Sequence, residues 1–198
     1  MKSDIKNDQV VFLRAQKCFL RPLDKTDAPL LTRWVNDSDI TQFLERNMPM
    51  MQALEEKWIE GLQGSKTDIA LLIVTNAGKP IGVMGIHHIN WIDGTATTGA
   101  FIGEKEYWGK GFGTDAKMVL LNYAFNILNL RKICSRVYAF NARSVAYSRH
   151  CGYVDDGVQK KHIFRNGEYH DVIQLALFKE AWLPYWNKYK KGLKPKKS

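Results

Sequence analysis

Apolar positions along the chain fall into short alternating runs and longer helical stripes, and each predicts one element. Cys18-Phe19-Leu20-Arg21-Pro22-Leu23 reads as an extended opening strand. Asp24 or Thr26 then caps a helix carrying Leu30, Leu31, Trp34 and Val35, and a short helix spans about Asp37 to Phe43. Met48-Pro49-Met50-Met51 breaks the chain before an amphipathic helix from Gln52 to Leu62, with Leu54, Trp58 and Leu62 on its expected apolar stripe. These three helices should lie together on one side. The β-patterned runs Ile69 to Thr75 and Pro80 to Ile89 are joined by the hairpin turn Asn76-Ala77-Gly78-Lys79. A second turn, Trp91-Ile92-Asp93-Gly94, leads into a strand from Thr95 to Ile102. A helix from Asp115 to Ile127 follows, with Ala116, Val119, Leu120, Tyr123, Ala124 and Ile127 as its stripe. Then come a strand from Ile133 to Tyr138 and a helix from Ala142 to Cys151 with Gly152 as C-cap. A final hairpin turns at Arg165-Asn166-Gly167, with Tyr169 to Phe178 as the last strand.

Composition narrows the class. With 198 residues and 45% hydrophobic content the chain can bury a core and reads as one domain. It has no run of 18 apolar residues, and Met1 to Asp8 lacks the apolar stretch of a signal peptide, so a cytoplasmic protein with no membrane partner is expected. Cys18, Cys134 and Cys151 are odd in number and far apart, which supports neither a disulfide framework nor a metal site and predicts buried, reduced thiols. The net charge of +9 points toward polyanions until its distribution is considered. Lys188, Lys190, Lys191, Lys194, Lys196 and Lys197 supply six of these charges from a C-terminal stretch without acidic residues. That stretch reads as a solvated tail, with a weak contact to RNA or the ribosome as the alternative.

The chemistry concentrates between the strand ending at Ile102 and the helix starting near Asp115, in Gly103-Glu104-Lys105-Glu106-Tyr107-Trp108-Gly109-Lys110-Gly111-Phe112-Gly113-Thr114. Three glycines let bare backbone N–H groups approach an anion, and the helix N-terminus adds its positive end. Lys110 precedes Gly111 with no hydroxyl after it, so this is not a P-loop. The Gly-x-Gly-x-Gly spacing deep in the chain is not the dinucleotide fingerprint either. A pyrophosphate cradle remains.

Residues 108 to 113 resemble the acetyl-CoA pyrophosphate loop of the GNAT superfamily of N-acetyltransferases, Gln/Arg-x-x-Gly-x-Gly/Ala, with Trp108 in the first position. That replacement looks like the branch of ribosomal-protein N-terminal and spermidine acetyltransferases. Two further segments carry the resemblance in family order. One is Phe19-Leu20-Arg21-Pro22-Leu23 with Asp27 and Trp34-Val35-Asn36-Asp37; the other is Asn141-Ala142-Arg143-Ser144 followed by Cys151-Gly152-Tyr153. The resemblance implies an α/β (α+β) fold, with a mixed, mostly antiparallel sheet flanked by helices and a V-shaped cofactor cleft. It would occupy residues 18–182, between an N-terminal extension 1–17 and a basic tail 183–198.

The resemblance further implies acetyl-CoA as co-substrate and no metal. Backbone of Ala100, Phe101 and Ile102 would bind the pantetheine arm, residues Trp108, Gly109, Lys110, Gly111, Phe112, Gly113 and Thr114 the pyrophosphate, and Asn141 and Ser144 the arm across the cleft. The family's acid is a Tyr seven residues after the Asn, where this chain has Ser148, with Tyr147 one place earlier. Some members instead place a Ser three after the Asn against the thiol, so Ser144 is expected as acid ahead of Ser148. The family's usual Glu bases are missing: Thr97 and Thr98 precede Gly99, and His162 and Ile163 stand near the final hairpin. His87, His88 and a water chain are the alternatives, with His88 the expected base. The expected reaction is acetyl transfer to a primary amine, foremost a protein N-terminal α-amino group. An α-amine, with a pKa of about 7.7 to 8.0, demands less of a base than a lysine-like amine near ~10.4. A polyamine or amino sugar is the alternative: Asp37, Asp39, Glu45, Glu55, Glu56 and Glu60 cluster where a cleft for a polycation would be, although Glu56 and Glu60 at i, i+4 read first as a solvated helix face. A non-catalytic acetyl-CoA-binding module with an RNA-docking tail is the rival class. The protein is expected to be a monomer or homodimer, with Trp182, Tyr185 and Trp186 either at a dimer contact or capping the core.

Overall fold

The computed structural model describes residues 10–193. Strands β1 (Leu13–Arg14), β2 (Cys18–Pro22), β3 (Ile69–Thr75), β4 (Pro80–Asn90), β5 (Thr95–Ile102), β6 (Lys132–Tyr138), β7 (Val154–Arg165) and β8 (Glu168–Phe178) form one sheet in the order β1-β2-β3-β4-β5-β6-β8-β7. Helices α1 (Ala28–Val35), α2 (Ser38–Thr41) and α3 (Gln52–Leu62) precede β3; α4 (Phe112–Asn122), α5 (Ala142–His150) and α6 (Lys179–Lys190) follow later strands. No helix among the described residues is long and apolar enough to cross a membrane.

Strand alternation sends neighbouring side chains to opposite faces, and each face has its own core. Leu20, Leu71, Ile73 and Ile86 pack with α4, Val145 of α5 and Trp182 of α6. Phe19, Leu72, Val74 and Val83 pack with Leu31 and Trp34 of α1, Ile40 of α2 and Ile59 of α3. The three early helices thus share one face, as their stripes predict.

One pairing departs from the antiparallel rule and creates the cleft. β5 and β6 run parallel but meet only through Thr95↔Lys132, Ala96↔Ile133 and Thr97↔Cys134. Beyond that, β5 stays paired with β4 and β6 with β8, so the two strands splay. The apex of the V is tied by Thr98, whose hydroxyl lies 2.9 Å from the Tyr153 hydroxyl and 3.4 Å from the Cys134 carbonyl.

Four expectations are corrected. In α3 the buried residues are Glu55 and Ile59, while Leu54 is 42% exposed. The helix is turned by about one position because the Glu55 carboxylate, 3.0 Å from Arg46, goes inward. The stripe of α4 ends early because a π turn over Tyr123–Ile127 adds a residue to the last turn, burying Phe125 and exposing Ile127. The break expected between residues 182 and 183 falls inside α6. There fully buried Trp182 stacks on Trp186, Trp186 on Tyr189, and the Tyr189 hydroxyl donates to Asp115 Oδ1 at 2.6 Å. The aromatic residues hold Lys188 and Lys190 on an ordered helix, whereas Lys194, Lys196 and Lys197 lie outside the described residues. Finally, β1 pairs with β2 through Leu13↔Leu20 and Arg14↔Phe19, so part of the expected extension belongs to the sheet. Cys18 and Cys151 are buried thiols, and Cys134 is half-buried.

Candidate active site

The glycine turn has the backbone its sequence asks for. Gly109 (φ +72°) and Gly111 (φ +82°) occupy the left-handed region, and Gly111 is the N-cap of α4. Nothing lies within 4 Å of a Cβ placed on Gly109, so the turn is open on that side. Asp115 fixes the helix start: its buried carboxylate accepts from the backbone N–H groups of Gln16 (3.1 Å), Lys17 (2.7 Å) and Cys18 (3.3 Å). Lys17 then reaches back, its ammonium donating to the Lys110 carbonyl at 3.0 Å. Trp108 is structural on one edge and electrostatic on its face. Its indole N–H donates to the Ile102 carbonyl at 2.7 Å, and the Arg143 guanidinium lies 4.1 Å over its ring. Arg143 thus brings a positive charge beside position 108, a partner that sequence spacing does not reveal.

Between the splayed strands opens a cavity of about 570 Å³. Of the residues expected around the cofactor, Ala100, Phe101, Ile102, Trp108, Gly109, Gly111, Phe112, Gly113, Thr114, Asn141 and Ser144 all line it. Lys110 does not, its ammonium lying instead 6.0 Å from the Tyr107 ring. Past Thr97, β5 has no partner on the β6 side, so alternate residues present N–H and C=O groups to the groove. These open backbone groups, the helix N-terminus and the flanking Lys17 and Arg143 fit a ligand with a pyrophosphate and an amide-bearing arm.

The helix beside the cleft divides the candidate acids. Asn141 caps α5, its side-chain oxygen accepting the Ser144 N–H at 3.1 Å. Ser144 faces the cavity, and among the described residues its hydroxyl forms no hydrogen bond. Ser148 does not face it; at 1% exposure it is packed into the core, which corrects its expected place in the site. Tyr147, about 100° around the helix, takes the cavity side instead. Its hydroxyl is buried without a partner, and burial pushes its pKa well above the usual phenol value.

The histidines also separate. A bulge between His87 and Asn90 sets His88 at φ +53°, exposed at the cavity rim. His87 is half-buried inside, with Nδ1 3.2 Å from Asp68 Oδ1. Its ring lies where a side chain on Gly85 would be, since a Cβ there would stand 2.5 Å from His87 Nε2. Burial lowers the His87 pKa against the opposing pull of Asp68. Burial raises the Asp68 pKa, but hydrogen bonds from Thr67 and His87 outweigh it, so that carboxylate stays ionised. The pair was missed in the sequence because 19 residues separate its members.

The acidic cluster is largely spent. Lys105 holds Asp37 (2.8 Å) and Asp39, Arg136 holds Glu45 (3.0 Å), Arg46 holds Glu55, Lys25 holds Glu60, and the Gln52 amide donates to Glu56 at 2.8 Å. Of these six, only Glu45 lines the cavity.

A parallel strand pair splayed beside a glycine-rich helix N-terminus opens a groove suited to a CoA thioester. Residues 17–154 match the acetyltransferase (GNAT) domain model, and the chain belongs to that family. It is an acetyl-CoA-dependent N-acetyltransferase acting on an amine, with acetyl-CoA as co-substrate. A spermidine N(1)-acetyltransferase of Vibrio cholerae serotype O1 is 29% identical over 166 residues, spanning 83% of this chain and 94% of that protein. YdaF of Bacillus subtilis (strain 168), named only provisionally as a ribosomal N-acetyltransferase, is 30% identical over 105 residues, 53% of this chain and 57% of that one. A crystal structure of spermidine N-acetyltransferase from Vibrio cholerae, in complex with CoA and spermine, superposes with a TM-score of 0.79 at 25% identity. The match covers 84% of this chain and 98% of that one.

Proposed function

We propose that the chain acetylates a polyamine-class primary amine, with His87 as the base and the β5/β6 cleft as the acetyl-CoA site. The observation that carries the reading is the placement of the glycine cradle and of His87, itself held by Asp68, on one cavity. The acceptor class is supported by the spermidine acetyltransferases among the relatives.

Acetyl-CoA, when bound, supplies an activated acyl thioester. Backbone N–H groups from Gly109 to Gly113 and the N-terminus of α4 neutralise its pyrophosphate, with Arg143 and Lys17 as flanking cations. The open edge of β5 from Ala100 to Ile102, with Asn141 opposite, orients the arm. An alkylamine with a pKa near ~10.4 is almost wholly protonated at neutral pH, so a base must take its proton. His87 is suited to this: it is held neutral by burial and oriented through Nδ1 by Asp68, leaving Nε2 toward the cavity. Ser144 lines the same space, and Tyr147 presents its ring there while its hydroxyl is buried behind it, where burial keeps the proton in place. At the acceptor end, the remote ammonium of a polyamine would compete with Arg136 for Glu45.

That last feature favours a second reading. With the acidic side chains already in ion pairs, little unpaired negative charge remains for a polycation. A protein N-terminus, singly charged and with a lower pKa, needs none. The test is thiol release from acetyl-CoA with spermidine, spermine, ribosomal-protein N-terminal peptides and amino sugars side by side. The polyamine reading requires kcat/KM for spermidine at least about tenfold above the peptides, a difference of about 1.4 kcal/mol. The reverse order assigns the N-terminus and overturns it.

A further inference from the structure

Helix α4 carries one side chain that the cofactor motifs leave unexplained. Lys117 is 2% exposed, yet it lines the cavity. Its ammonium lies between two rings, 5.6 Å from the centroid of Tyr147 on α5 and 5.7 Å from that of Tyr153 after α5. Among the described residues it forms neither a salt bridge nor a side-chain hydrogen bond.

The groups around it offer no anion. From α5 it faces Tyr147 and Cys151, from the turn after α5 Tyr153, and across the cavity from β4 it is felt by His87. Burial holds both tyrosines far above the ordinary phenol range and pushes the Cys151 thiol up to about 12, so all three stay protonated. Cys134, behind Tyr153 on β6, is likewise raised by burial. His87 is kept neutral, and Asp68 is bound to its other ring nitrogen. Burial pulls Lys117 down to about 8, which still leaves it mostly cationic at neutral pH. Two aromatic faces ease the burial of a cation but do not balance its charge. Only a ligand can supply the missing anion.

The position on the helix says which part of the ligand. Lys117 lies six residues beyond the Gly111 N-cap, about 9 Å along the helix axis at 1.5 Å per residue. The pyrophosphate is therefore served by the other end of α4. CoA's third phosphate sits on the adenosine side of the pyrophosphate, and the carbonyl oxygen that gains charge on attack has the open N–H groups of β5 beside it. That leaves the sulfur: when the C–S bond of the thioester breaks, its electron pair stays on sulfur, and a proton or a cation must meet it. We propose that Lys117 is the resident counter-ion of the CoA thiolate, holding the anionic sulfur on the cavity floor near the Tyr147 ring. This rests on the assignment of the cleft to acetyl-CoA. A fixed cation there also gives a reason why the chain can dispense with a Tyr in the family's usual position.

The test reads the ionisation of bound CoA itself, without turnover, by thiolate ultraviolet absorbance as pH is raised. Free CoA, titrated in the same way, supplies the reference. In the unaltered protein the bound thiol should ionise at least about one pH unit lower, a tenfold or larger gain in thiolate binding. Lys117→Met should abolish that shift and Lys117→Arg should keep it. Acetyl-CoA affinity, measured on each variant, reports whether the cleft is intact. Failure of the unaltered protein to bind acetyl-CoA would strike the cleft assignment itself. Normal acetyl-CoA binding with an unshifted thiol, or a shift that survives in Lys117→Met, would overturn the role given to Lys117.

Discussion

The two ends of the cleft are built from different materials. The cofactor end is mostly backbone: left-handed glycines, a helix N-terminus and the unpartnered edge of β5. The end we propose for the acceptor is side chains gathered from distant segments, His87 with Asp68 and Glu45 with Arg136. Backbone sites leave a signature in sequence because few residues tolerate the conformations they need. Side-chain sites leave none, because a charge in a sequence does not say what it is paired with. The sharpest way to break this contrast is Gly111→Asp. It forces an L-residue to φ +82°, sets a Cβ 3.2 Å from the Lys17 ammonium and brings a carboxylate into the cradle. Acetyl-CoA affinity by calorimetry should fall by about 10³-fold or more, the backbone strain adding to the charge repulsion. Near-normal affinity would remove the pyrophosphate from this turn.

The same contrast runs through what could be read in advance. Strand order, the hairpins and the cradle follow from alternation, Asn-Gly turns and glycine spacing; Asn166 (φ +52°) and Gly167 (φ +86°) form the turn their sequence implies. Misreadings arose where a polar group went inward or the helical period changed. Glu55 turned α3 because Arg46, nine residues earlier, travels with it, and a π turn displaced Ile127 from its stripe. Trp182, Trp186 and Tyr189 recur at the spacing of one helical face, yet the run of lysines from Lys188 onward makes the segment read as a tail. In the candidate site, the one-residue offset between Tyr147 and Ser148 is a turn of about 100° around the helix, so only one of the two faces the cleft. Which of the two met the cavity depended on packing against α4 and Tyr153. Arg143 over Trp108 and the counter-ion-free Lys117 had no local signal at all.

A smaller effect sharpens the acceptor end. His87→Ala should lower kcat/KM by about 100-fold, within the range for loss of a general base, while acetyl-CoA affinity changes little. His88→Ala, on the rim, should cost less than about threefold, a difference of some 0.6 kcal/mol. The pH profile supplies the sign. Burial lowers the His87 pKa, so its neutral form is complete at a lower pH than for a free imidazole near ~6.5. The acid limb of kcat/KM due to His87 should therefore lie below that value, rising with pH and then levelling, apart from any later rise from the amine itself. His87→Ala should erase that limb. A limb that persists in His87→Ala and vanishes in His88→Ala would return the role to the exposed histidine.

The smallest expected effect falls where the two ends meet. The Tyr147 hydroxyl is buried without a partner, so Tyr147→Phe removes a polar atom that makes no hydrogen bond in the fold. Thermal stability should stay level or rise slightly, since an unsatisfied buried group is costly. The ring remains against Gly113, 3.6 Å from where a Cβ there would sit, so the cradle keeps its support. If that hydroxyl hands a proton to the sulfur, kcat should fall by about tenfold with KM for acetyl-CoA unchanged, a modest loss because Lys117 still meets the charge. Ser144→Ala removes the competing hydroxyl from the same wall. A larger loss in Ser144→Ala than in Tyr147→Phe would restore the serine as the acid and leave Tyr147 as a packing residue that happens to face the cleft.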